Sequence, residues 1–467
     1  MSTESLSPEL GAWVETHATR LVDEWRACCA VPSVSADGPA AVAEMAAWLT
    51  AYATPLFDRF EFMRAPESAA VLLGTLEGTG PARLLSYTHY DVVPAGAGWT
   101  RDPFGAELAG DAVYARGAGD DKADVMARLH AIQAWKELRG TLPFTLLWLS
   151  EGMEEVGSPG LREVIAENLD RLQADACLWE SYYRSVDGES PTIGFGSRGV
   201  LNVELSVRLL DADTHSAMAG VYKSSAMILA QAVGSLMDQE GRVLIPGFYD
   251  SIIGFGFDSD DAEVVARTPA PPVAPGAAER GALWSTHAQE ATRRWLYEPT
   301  LNVAAFHAGP EGGGSDATVL PACASARLDL RLMPSQDPQE ILASLRGHFD
   351  SQGYPEVEIR LRNAIRPARS PLDSPLAMAV RQASSELFSG AQPLLHPVVP
   401  GSGPLHLFTD AIPLSAVMPP GTIRPDSGMH GPDENAMVSH YLDEVKLTLR
   451  IFELLSMSTE FGKAGQV

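Results

Sequence analysis

Glu154 and Glu155 stand side by side in Ser150-Glu151-Gly152-Met153-Glu154-Glu155-Val156-Gly157-Ser158, just after an apolar run. Hydrolysis at a pair of metal ions needs two acids with different jobs: one binds metal and the other moves protons. A Glu-Glu dipeptide alone is usually a solvated surface feature. This one gains weight from its company: His89 and Asp91 upstream, Asp120 in a glycine-rich turn, Glu180, and His430 near the end. His89 and Asp91 are two apart, so on an extended chain they face the same way. A carboxylate there can hold the imidazole and fix which ring nitrogen meets a metal. The plainer reading of Asp91 is a turn residue ahead of Pro94.

The turn Arg116-Gly117-Ala118-Gly119-Asp120-Asp121-Lys122 has the glycines of a phosphate loop. Its spacing fits neither the P-loop nor the dinucleotide fingerprint, and two acids would repel a phosphate. Asp120 reads instead as a bridging carboxylate, one oxygen for each of two metals. Asp121 and Lys122 read as the cap and opening of a helix. Ser402, in Gly401-Ser402-Gly403-Pro404, raises the alternative of a serine nucleophile, but no G-x-S-x-G elbow surrounds it.

These residues need a scaffold, and the apolar pattern supplies one. Residues 8–29 have the spacing of an amphipathic helix, with Leu10, Trp13, Leu21 and Trp25 among its apolar positions. Strand-like runs cover 70–73, 84–87, 144–149 and 176–179, and a helical pattern spans Lys122 to Leu138. Strands that are nearly continuously apolar and alternate with helices predict a mostly parallel α/β sheet covered on both faces. In such a sheet, ligand sites lie past the C-terminal strand ends. His89, Glu155 and Glu180 each follow such an end, and His430 follows a further strand-like run at 412–417.

From about Gly199 the pattern changes. Leu201, Val203, Leu205 and Val207 alternate with polar residues, as do Ala326, Leu328, Leu330 and Leu332. Helical stretches near 224–237 and 338–349 and a strand around 357–361 complete a small α+β unit with an antiparallel sheet. The predicted organisation is a first catalytic segment 1–199, an inserted domain 200–366, and a second catalytic segment 367–467 that includes a helix at 375–388. Residues 258–282, rich in Ala, Pro and Asp, read as a loop.

Composition limits the partners. Of 467 residues, 45% are hydrophobic and 20% charged, which suits a globular protein of two domains. Lys and Arg number 34 against 60 Asp and Glu, a net charge of −26. That charge repels a polyanion and argues against a nucleic-acid partner. No run of eighteen apolar residues exists, so no membrane span is expected. Met1-Ser2-Thr3-Glu4-Ser5 lacks the order of a secretory signal. Cys28, Cys29, Cys177 and Cys323 form no CxxC and read as reduced core residues, consistent with a cytoplasmic protein.

At these residues the sequence resembles the aminoacylase/carnosinase-type family of dinuclear zinc metallopeptidases. The matching segments are THYDVVP at 88–94, RGAGDDK at 116–122, EGMEEVGS at 151–158 and GSRG at 196–199. They continue with DTHS at 213–216, LYEPTLNV at 296–303, TVLP at 318–321, RLDLRLMP at 327–334, GSGP at 401–404 and HGPDEN at 430–435. EGMEEVGS with GSGP is most similar to the carnosinase and cytosolic dipeptidase branch. The resemblance implies a zinc-exopeptidase-like α/β domain carrying an inserted ferredoxin-like lid and dimerisation domain. It implies one zinc held by His89, Asp120 and Glu180, and a second held by Asp120, Glu155 and His430. Glu154 would be the general base, and a cis peptide would follow Asp120. His215 would reach the active site of a partner subunit in a homodimer. The chain departs from the family pattern at Thr88 and Ala123, where glycine is usual, and at Glu180, where the carnosinase branch typically has Asp.

Charge supports that arrangement. Two divalent cations against the carboxylates of Asp120, Glu155 and Glu180 leave a net positive site, at which a water ionises near neutral pH. Oxygen and imidazole ligands without thiolate suit zinc, and also manganese or cobalt. Glu154 would take the proton of the attacking water, and His215 would donate to the developing oxyanion. Arg331, on the polar side of a strand, would bind a substrate carboxylate, with Asn302, Thr318 and Ser402 as further substrate contacts. The expected reaction is hydrolysis of the amide in dipeptides or similar small peptides with a free C-terminal carboxylate. The alternatives are an N-acyl- or N-carbamoyl-amino-acid amidohydrolase on the same metals, or a non-catalytic peptide or metal binder. A binder would have no use for Glu154.

Overall fold

The computed structural model describes residues 6–66, 68–186, 189–253, 259–271, 284–285, 287–309 and 318–462. The chain divides into two compact units: Met1–Gly196, Arg369–Pro397 and Pro404–Val467 form one, Ser197–Ala368 and Val398–Gly403 the other.

In the first unit, apolar runs buried on both faces form a six-stranded sheet. Its order is Arg59–Met63, Val71–Leu76, Thr145–Glu151, Arg83–His89, Ala176–Leu178 and Ser415–Val417. The last four strands are mutually parallel. Val71–Leu76 runs antiparallel to Thr145–Glu151, and Arg59–Met63 antiparallel to it in turn. Every residue of Thr145–Glu151 is buried, which explains why it reads as an unbroken apolar run rather than an alternation. The helix Lys122–Arg139 packs against both Pro8–Cys29 and Val438–Met457. It carries Val125, Met126, Leu129 and Ile132 into the core. Two polar residues on the same helix are buried with partners. His130 Nε2 lies 2.9 Å from Glu24 Oε2, and Arg128 donates to Thr448 Oγ1 at 3.1 Å and to the Trp179 carbonyl at 3.3 Å. Ser374 caps the helix Pro375–Leu387, its hydroxyl accepting from the Ala377 N–H at 3.2 Å with Pro at the first helical position.

The second unit is built on a four-stranded antiparallel sheet in the order Thr300–Ala308, Cys323–Leu332, Gly199–Arg208 and Glu358–Ile365. Leu201, Val203, Leu205 and Val207 face inward with Leu328, Leu330 and Leu332, against the helices Ser225–Gly234 and Pro338–Ser351. Asp337 starts the latter helix, its carboxylate accepting from the Gln339 N–H at 2.8 Å. Val398–Gly403, which includes Ser402, packs with this unit.

Two expectations are corrected. Within 258–282, Ser259–Arg267 is an α-helix. Its serine start, early acids, Val264–Val265 pair and terminal Arg suit the helix ends, and the Pro-rich composition further on masked this. Residues 272–282 lie outside the described residues. Cys28, Cys29 and Cys177 are buried, but Cys323 is exposed at the start of its strand, where the chain enters the sheet. No helix among the described residues is long and apolar enough to cross a membrane.

Candidate metal centre

His89 is the last residue of the Arg83–His89 strand, in register with Glu151, and only 2% exposed. Its Nδ1 lies 3.4 Å from Asp91 Oδ1 and 3.2 Å from the Asp91 carbonyl. That leaves Nε2 turned toward Asp120 Oδ1 at 3.1 Å and Glu180 Oε2 at 3.8 Å. Asp91 also has a second task. Its oxygens accept the backbone N–H groups of Glu154 and Glu155, both at 3.1 Å, at the head of the short 3-10 turn Glu154–Val156. One fully buried carboxylate therefore orients the imidazole and holds the acid pair. Its hydrogen bonds are what make burial of that charge tolerable.

Glu180 follows the Ala176–Leu178 strand. The Trp179 ring stacks on Tyr87 at 3.7 Å, and its Nε1 donates to Glu180 Oε1 at 3.0 Å. Asp120 sits between the two histidines: Oδ1 faces His89 Nε2, and Oδ2 lies 3.0 Å from His430 Nε2. His430 lies also 3.2 Å from Glu155 Oε2. Its backbone has a positive φ of 59°, and its side chain is 50% exposed. Ligand-capable atoms of Asp120, Glu155 and His430 lie within 4.8 Å of one another, as do those of His89, Asp121 and Glu180. The peptide bond Asp120–Asp121 is cis.

The electrostatics are those of crowded acids. Burial pushes the Glu180 carboxyl up to about 8, with His89 pulling down and Asp120 pushing further up. Burial also lifts Glu154 well above the ordinary carboxylate range; His89 opposes this, while Glu180, Glu155 and Asp91 add to it. Hydrogen bonds to Asp120 and Glu155 raise His430 to about 10. Burial works against the Asp120 carboxylate, but the hydrogen bonds of His430 and His89 hold it well below its usual range. Glu155 Oε1 and Glu180 Oε2 are buried and meet no hydrogen-bond partner among the described residues. Orphaned, buried oxygens on carboxylates whose groups also face imidazole nitrogens fit a pair of divalent cations. His89, Asp120, Glu155, Glu180 and His430 could hold them. Among the described residues, the Glu154 carboxylate has no hydrogen-bond partner.

Asp121 does not cap its helix through the side chain. Its carboxylate accepts the His89 backbone N–H at 3.0 Å instead. Lys122 is buried and donates to the Val31 carbonyl at 2.6 Å. Glu434 had no sequence assignment beyond its place in HGPDEN. It is buried and fills the glycine-rich turn, accepting from Gly117 N at 3.1 Å, Gly119 N at 3.2 Å, Asp120 N at 3.3 Å and the Arg116 guanidinium. The turn does cradle an anion, as its glycines suggested, and the anion is the chain's own carboxylate.

The remaining candidates belong to the second unit. Arg331 Nη1 donates to Ser402 Oγ at 3.0 Å, and Nε lies 3.3 Å from Asp329. Asn302 is exposed and pairs in register with Asp329, so it shares a sheet face with Arg331. His215, exposed, lies opposite Val319 in the short pairing of Thr214–His215 with Val319–Leu320, and its Nδ1 accepts from Ala217 N at 3.1 Å. The neighbouring Thr318 is exposed, and its carbonyl accepts from Ser216 N at 2.8 Å.

Residues 85–454 match the model of peptidase family M20/M25/M40. The human Beta-Ala-His dipeptidase is 25% identical over 402 residues, covering 82% of this chain and 76% of that protein. A Cys-Gly metallodipeptidase of Saccharomyces cerevisiae is 26% identical over 416 residues, covering 82% of each. Among solved structures, an M20 family metallo-carboxypeptidase from Sulfolobus solfataricus superposes with a TM-score of 0.85 at 29% identity, covering 94% of this chain and 99% of that one. With the match running from the His89 strand into the last helix, the chain belongs to peptidase family M20/M25/M40 and is a metal-dependent peptidase.

Proposed function

We propose that the chain is a two-zinc dipeptidase that cuts the amide bond beside a free C-terminal carboxylate. The observation that carries this reading is Asp120, with one oxygen toward each imidazole, together with a buried Glu154 whose carboxylate feels His89, Glu180 and Glu155. In this reading His89, Asp120 and Glu180 hold one ion, and Asp120, Glu155 and His430 hold the other. Zinc suits these ligands best, with manganese or cobalt accepted by the same oxygens and imidazoles. When bound, the ions would supply Lewis acidity toward the scissile carbonyl and lower the pKa of a water. Glu154 would take the proton of the attacking water and return it to the leaving amine; its raised affinity for a proton suits both halves of the task. Asp91 keeps the His89 ring in the tautomer that presents Nε2.

The Ser197–Ala368 unit acts as the lid and dimerisation domain. Arg331 and Ser402 grip the substrate carboxylate, with Asn302 and Thr318 as further contacts. His215 donates to the oxyanion from the partner subunit of a homodimer, and the enzyme works in the cytoplasm. The human and yeast relatives named above carry the dipeptidase reading. The Sulfolobus likeness favours a second reading, a carboxypeptidase acting on longer peptides beside the same free carboxylate.

Two measurements test these statements. Against a panel of dipeptides, longer peptides and N-acyl or N-carbamoyl amino acids, dipeptides should be hydrolysed fastest. Activity should vanish on chelation and return with zinc. Hydrolysis that survives chelation would sink the metal reading, and faster turnover of acyl or carbamoyl substrates would move the enzyme to the amidohydrolases. For the shared site, His215→Ala and Glu154→Gln subunits, each inactive alone, should regain activity when mixed into heterodimers. Mixtures as inactive as their parents would place His215 outside the partner's site.

A further inference from the structure

The geometry points to Glu434, clasped by Arg116, as the positioning residue that pre-assembles the Asp120–Glu155–His430 cation site. This rests on the two-metal reading above. Glu434 comes four residues after His430, yet its carboxylate lies in the turn that carries Asp120. There it accepts the N–H groups of Gly117, Gly119 and Asp120 at 3.1–3.3 Å. Arg116 pairs with the same carboxylate and sends Nη2 to the Gly431 carbonyl at 2.9 Å, so it grips the His430 loop directly. The guanidinium also lies over the Trp99 ring at 5.3 Å. Both charged partners are almost fully buried.

The two cation sites depend on this clasp unequally. His89 is seated at a strand end and held by Asp91, and Glu180 is held by Trp179. Among the described residues neither hydrogen-bonds to Glu434; Asp120, whose backbone N–H Glu434 accepts, is the one ligand common to both sites. His430 has no such seat. It stands in an irregular loop, half-exposed, with a left-handed backbone that neighbouring contacts must sustain. Asp433, three residues on, is left-handed as well, and its carboxylate is tied to Thr100 N and Oγ1, both at 2.9 Å. Removing the Glu434 charge leaves Arg116 buried without its counter-ion and the turn N–H groups short of an acceptor. The turn and the loop then lose their common anchor, and the distance from Asp120 Oδ2 to His430 Nε2 is no longer set before a cation arrives.

The test is zinc titration of the full-length chain against a chromophoric chelator, with the melting temperature of the metal-free protein measured in parallel. Wild type should bind two zinc ions. Glu434→Gln should keep one near its wild-type affinity and bind the other about 10–100-fold more weakly, the usual cost of losing a partner behind a metal ligand. Arg116→Lys keeps a charge beside Glu434 but cannot also reach Gly431, and should give a smaller loss at the same site. It carries the test if Glu434→Gln does not fold. If the variants bind both ions as wild type does, whatever the melting temperature, Glu434 serves the fold alone and the inference is overturned. A wild-type chain that takes up fewer than two zinc ions would instead remove the two-metal premise.

Discussion

Glu154→Gln should retain two bound ions and lose roughly 10²–10⁴-fold in kcat, the range of a general acid–base contribution. The substitution keeps shape and removes the ability to carry a proton. It also takes one negative charge from a pocket that already holds Glu155, Glu180 and Asp91, which does not disturb the oxygens facing the imidazoles. Glu154 is attached to the site through its backbone N–H on Asp91, and that bond survives the change. KM should move little, because Glu154 is not needed to seat the substrate. Elemental analysis and steady-state kinetics read both halves of the expectation. Wild-type turnover would refute the role, and loss of metal would make Glu154 a ligand instead.

Its neighbour should behave in the opposite way. Glu155→Ala removes one oxygen 3.2 Å from His430 Nε2 and another that has no hydrogen-bond partner among the described residues. The Asp120–His430 pair is then a two-residue site, too poor in ligands to hold zinc tightly. The protein should bind one ion instead of two, and turnover should fall at least as far as in Glu154→Gln. Two retained ions would show that the second cation is held by other groups. Adjacent acids with one failing in chemistry and the other in metal content would separate proton transfer from coordination within a single turn.

Much of this was legible because strands buried on both faces leave unbroken apolar runs. Leu84–Tyr87 and Phe144–Leu149 located two sheet strands, and the acids and histidines just past such runs proved to be neighbours in space. Strand direction was not legible: Val71–Leu76 has the same apolar signature as its neighbours and runs antiparallel. The long helix Val438–Met457 went unmarked, since Glu444, Thr448, Arg450 and Glu453 are buried along with its apolar residues and blur the amphipathic pattern. Asp121 and Glu434 were missed for a shared reason. Apart from the Arg116 guanidinium on Glu434, their hydrogen-bond donors are backbone N–H groups, which every residue but proline carries and which leave no mark in a sequence. For the substrate-binding candidates, Arg331 and Ser402 are 71 positions apart and meet in one hydrogen bond. Only the folded path of Val398–Gly403 explains that meeting.

The two imidazoles differ in one respect with practical weight. His89 is sealed in the interior, and His430 stands half open to water. In the two-metal reading, the ion on the outer imidazole would be the one that competing solutes reach first. A buffer with a mild sequestering agent should then give a half-loaded preparation. Its specific activity should vary with handling and return on brief incubation with fresh zinc salt.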